Sequence, residues 1–192
     1  SAALSETAIF DNLDDVVELA ETAEKVGTAG GADLLDNVLQ NADKAKSLKK
    51  VVDKANTVKG GTAGEASAAD LADLLSKADK AEKMEKVVDQ LDTLGFEGDQ
   101  AGDVFDNLED LADVLDEVTT GDAVDAAVAK NLLGNAKEAK TVKQAMETVK
   151  KATAGKTGEG AGSGPNLADL VKKDVKELKA INTVAEKLKE AG

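Results

Sequence analysis

The chain contains no cysteine, histidine, tryptophan, tyrosine or arginine, and each missing residue type closes a class of chemistry. Without cysteine there are no disulfide staples, thiol nucleophiles or thiolate-bound zinc, and the redox compartment stays undecided. Without histidine as well, the usual general bases and transition-metal ligands are gone. Lysine is the only basic residue, which removes bidentate phosphate recognition. Three phenylalanines, Phe10, Phe96 and Phe105, are too few for a base-stacking platform. These gaps lead us to expect a non-enzyme, with no catalytic, cofactor-binding or metal-binding residues and no cofactor.

Proline occurs once, at Pro165, and no uncharged apolar run approaches the roughly 20 residues of a membrane helix. The net charge of -14 repels nucleic acid and anionic membrane alike. A partner is then a basic protein or polymer, or another copy of the same chain. The chain starts Ser1-Ala2-Ala3 without methionine, which fits either a leader already removed or an initiator methionine trimmed before a small residue, and its composition favours the former, as in a protein exported in bulk. The expected location is extracellular or at the cell surface.

What the 192 residues do contain is repetition. Asn41 to Val58 is spelled again at Lys77 to Leu94, with nine of eighteen positions identical. The apolar positions keep register at an offset of 36: Leu39, Ala42, Ala45, Leu48, Val51, Val52 and Val58 return as Leu75, Ala78, Ala81, Met84, Val87, Val88 and Leu94. A third copy carries Ala136, Ala139, Val142, Ala145, Met146 and Val149 at an offset of 94 from the first. What recurs is a buried helical face.

Ile9, Phe10, Leu13, Val16, Val17, Ala20 and Ala23 fall three and four apart, which predicts a helix from Ser5 to about Val26 with an acidic outer face. The glycines of Gly27 to Gly31 end it. A second helix is predicted from about Ala32 to Val58, and a third to Leu94, opened by Ser67 with Asp70 as a capping box. The first pattern then restarts. Val104, Phe105, Leu108, Leu111, Ala112, Leu115 and Val118 stand at a uniform offset of 95 from the apolar residues of the first helix. A fifth helix from about Ala123 to Thr153 follows, with Asp122 as its cap. A sixth runs from about Pro165 to Glu190, where Leu167, Leu170 and Val171 answer Leu71, Leu74 and Leu75.

The expected fold is all-α: six amphipathic helices forming two tandem, internally duplicated three-helix units, 1–97 and 98–192, as a helical bundle. The second unit contains a glycine-rich loop at 155–164. Helices one, three and four are net acidic and helices two, five and six net basic, an alternation that serves either within a bundle or between molecules.

Three motifs invite chemistry. Gly155-Lys156-Thr157 looks like the end of a phosphate loop, but Lys150 stands where the leading glycine belongs and no strand precedes it. The segment Gly98 to Asp103 has the ingredients of a calcium loop without the alternating spacing, and its aspartates read as caps of the fourth helix. Paired carboxylates, Asp14 with Asp15 and Asp110 with Asp113, read as a solvated face, since nothing shapes a pocket around them. Phe10 and Phe105, at equivalent positions, read as twin core anchors. Function is then expected to lie in shape: a self-assembling structural subunit of a filament, sheath or surface layer. The alternative is a soluble helical binding module that engages a protein or polymer through its charged faces.

Overall fold

The computed structural model of the chain describes residues 6–27, 31–60, 65–119, 125–154 and Val171. Among them all regular structure is helical, with no strand. Each helix expected there is divided. The first is α1 (Glu6–Asp11) and α2 (Leu13–Val26). The second is α3 (Gly31–Gln40), a 3-10 turn at Ala42–Lys44, and α4 (Ala45–Lys59). The third is α5 (Ala68–Ser76), a 3-10 turn at Ala78–Lys80, and α6 (Ala81–Leu94). The fourth is α7 (Gly98–Asp106) and α8 (Leu108–Val118). The fifth is α9 (Ala126–Gly134), a 3-10 turn at Ala136–Glu138, and α10 (Ala139–Ala154). The sixth helix with Pro165, the loop 155–164 and Asp122 fall outside the described residues, apart from the buried, helical Val171.

The breaks have a common chemistry. Asn12, Asn41, Asn107 and Asn135 sit at φ between -116° and -124° with ψ between 21° and 37°, off the helical basin, and Lys77 joins them at φ -109°, ψ 27°. The backbone N–H of Asn107 and of Asn135 turns to the carbonyl three residues back, at 3.2 and 3.1 Å. Their side-chain amides then donate to the carbonyl four back, Asp103 at 2.9 Å and Asn131 at 2.8 Å. Asn12 and Asn41 donate likewise to Ala8 and Asn37. Asparagine thus offers the backbone a local alternative to the helical bond. At Lys77, which has no such amide, the neighbouring Ser76 hydroxyl takes the Asp73 carbonyl at 2.7 Å.

The 3-10 turns also solve a register problem. Ala42, Ala45, Leu48 and Val51 are all buried, yet they stand three apart. In an unbroken α-helix each such step falls about 60° short of a full turn, so three steps would carry Val51 to the opposite side. Winding one step at about 3.0 residues per turn removes part of that drift. The same series, Ala78, Ala81, Met84, Val87 and Ala136, Ala139, Val142, Ala145, is buried after the other two turns.

The chain forms two compact units, Ser1–Asp92 and Thr93–Gly192. In the first unit α2 packs against α3, α4 and α5, and α1 lies on the turn Ala42–Lys44. Its core gathers Val16, Leu19, Val38, Leu48, Val51, Leu75, Met84, Val87 and Leu91. In the second, α8 packs against α9 and α10, and α7 lies on the turn Ala136–Glu138. Leu111, Val114, Leu115, Leu133, Met146 and Val171 are buried there. No polar or charged residue is buried among the described residues of either unit.

A cross-helix bond ties each break to its neighbour. The Asn37 amide donates to the Leu75 carbonyl at 2.7 Å, supplying a donor that α5 lacks as it ends. The Asn37 side-chain oxygen in turn accepts from Asn41 at 3.3 Å. In the second unit Asn131 donates to the Val171 carbonyl and accepts from Asn135.

Helix ends follow local chemistry. Gly27, at φ 120°, stops α2 in a conformation that side-chain-bearing residues rarely adopt. Gly31 opens α3 so close to α2 that a Cβ there would sit 3.2 Å from the Ala23 carbonyl oxygen. The Ser67 hydroxyl accepts from the Asp70 N–H at 3.2 Å, as the capping box predicts. Asp125 caps α9, accepting from Ala127 at 2.8 Å and Val128 at 3.4 Å.

Candidate functional site

The charged side chains are the first place to look for a site, and many of them are already engaged within the units. Lys49 on α4 holds Glu18 of α2 at 3.0 Å and Asp53 at 2.6 Å. Lys143 on α10 holds Asp110 at 3.0 Å and Asp113 at 2.6 Å, both on α8. Lys50 reaches Glu85 at 3.1 Å and Asp89 at 2.5 Å, and Lys54 pairs with Asp92. The alternation of acidic and basic helices is therefore used at least in part inside each unit, each exposed pair contributing about 0–1 kcal/mol.

These pairings set the protonation states. Hydrogen bonds donated to Asp53 and Asp113 hold Lys49 and Lys143, respectively, above the ordinary lysine value. Lys50 is raised chiefly by Asp89. Burial pushes the Glu85 carboxyl up, but Ser47, Lys50 and Lys46 outweigh it, and the net shift is downward. Each of these shifts favours the charged form. A general acid or base working near neutral pH needs the opposite.

The paired carboxylates behave accordingly. Asp110 and Asp113 do not form the solvated face the sequence suggested; they are half-buried and clasp one lysine. Asp14 is exposed and Asp15 half-buried on α2. Asp99 and Asp103 lie within α7 rather than before it. The capping position is Glu97, without a side-chain cap bond, and Asp103 pairs with Lys137 at 3.0 Å. Gly155-Lys156-Thr157 lies outside the described residues. Among the described residues no group of Asp and Glu is arranged to hold a metal ion, and no helix is long and apolar enough to cross a membrane. An open cleft of about 230 Å³ between α7 and the end of α9, floored by Leu133 and Gly134 and edged by Asp103 and Lys137, is smaller than the roughly 300–1,000 Å³ of ordinary ligand pockets.

The informative surface lies elsewhere. Phe105 is buried, as expected of a core anchor, but Phe10 is 73 % exposed, and Leu13 and Val17 are 46 % and 47 % exposed. Phe10 is thus no core anchor in the first unit. Two apolar stripes compete on its first helix, and the core takes Val16, Leu19 and Ala23, leaving Phe10, Leu13 and Val17 outside. Leu19, 1 % exposed, is not among the positions picked out by the three-and-four spacing, which takes members of both stripes. In the second unit both stripes are covered: Leu111, Val114 and Val118 on one side, Phe105, Leu108 and Ala112 on the other. The signal was present in the sequence as two i, i+3, i+7 series, but spacing alone does not rank them. The chain matches no protein-family model, and neither a curated protein nor a solved structure is similar to it.

Proposed function

We propose that the protein is a self-assembling structural subunit, built as six helices in two duplicated three-helix units, 1–97 and 98–192, and working by shape rather than by catalysis. One observation carries this reading: tertiary bonds recur at the offsets of the sequence repeat. Asn37 to the Leu75 carbonyl is matched by Asn131 to the Val171 carbonyl, and Glu18 with Lys49 by Asp113 with Lys143. A chain made of two units on one plan presents related surfaces twice, which is the condition for stacking into an extended array. An extracellular or cell-surface filament, sheath or layer is the setting that suits a composition so poor in reactive side chains.

Sedimentation velocity of the full chain over a concentration series, with negative-stain microscopy of the upper end, tests the reading. Species that grow with concentration into elongated particles are expected. A single monomeric boundary at every concentration overturns it.

A further inference from the structure

We draw no further inference here: the strongest candidate, the exposed apolar stripe of Phe10, Leu13 and Val17 on α1 and α2, is an unpartnered helix face, and nothing in the structure shows what covers it.

Discussion

Replacing Asn37 isolates the contribution of one cross-helix amide. Its Nδ2 donates to the Leu75 carbonyl at 2.7 Å where α5 runs out of its own donors, and its oxygen accepts from Asn41. Asn37→Ala removes a neutral hydrogen bond worth about 0.5–1.5 kcal/mol and leaves the part-buried carbonyl unpartnered, for a total loss of about 1–2.5 kcal/mol. With urea slopes of about 1–3 kcal/mol/M, the midpoint of the first unit's transition moves down by roughly 1 M. The chain has no tryptophan or tyrosine, so helicity at 222 nm is the signal.

Asn37→Asp sharpens the test. Its carboxylate would face the Leu75 oxygen, which raises its folded pKa above the ordinary value of about 3.9. The folded state then holds the proton to higher pH than the unfolded chain. The deficit relative to wild type at the same pH is therefore largest near pH 7 and shrinks as pH falls through the folded value, where the acid can donate to the carbonyl. Asn131→Ala, at the matching position of the second unit, is expected to destabilise to a similar extent. Both asparagine-to-alanine variants within about 0.3 kcal/mol of wild type, with no pH-dependent recovery in Asn37→Asp, would refute the reasoning.

Equivalent positions should respond unequally elsewhere. Phe105→Ala is expected to lower stability by about 3–5 kcal/mol by opening the core of the second unit. Phe10→Ala should stay within about 0.5 kcal/mol when measured on dilute, monomeric protein by urea denaturation. Acid sensitivity should trace in part to Asp70, whose carboxyl Lys59 holds below the usual range with help from Ser67. Its contribution is present above the unfolded value of about 3.9 and is lost as pH falls through the lower folded value. Lys59→Met should therefore lower the urea midpoint at pH 7 and narrow its gap to wild type as pH falls through the lowered folded value of Asp70.

Periodicity was enough to show that the described stretches are helical, because burial of one face every three or four residues leaves the same mark in the chain whatever the helix packs against. Ser67 was legible as a cap for a related reason: its hydroxyl and the Asp70 N–H are three residues apart, and no distant partner is needed. The breaks at Asn12, Asn41, Asn107 and Asn135 were written in the sequence too, as asparagines recurring at the repeat offsets. Apolar spacing passed over them because the buried series runs on through each break. The acidic pair Asp110 and Asp113 read as solvent-facing because Lys143, their partner, is about thirty residues away and nothing local announces it.

The sequence by itself determined that the chain is helical, that its helices repeat, and that histidine and cysteine chemistry is closed to it. These follow from residue type and short-range spacing. Tertiary packing decided which of two equally spaced stripes on the first helix faces inward, sending Leu19 to the core and Phe10 to solvent. It also decided which carboxylate each clasping lysine holds and which carbonyl Asn37 completes. A helix carries its apolar and polar faces in its own sequence, but how far it rolls against its neighbours depends on side chains that meet only once the chain has folded.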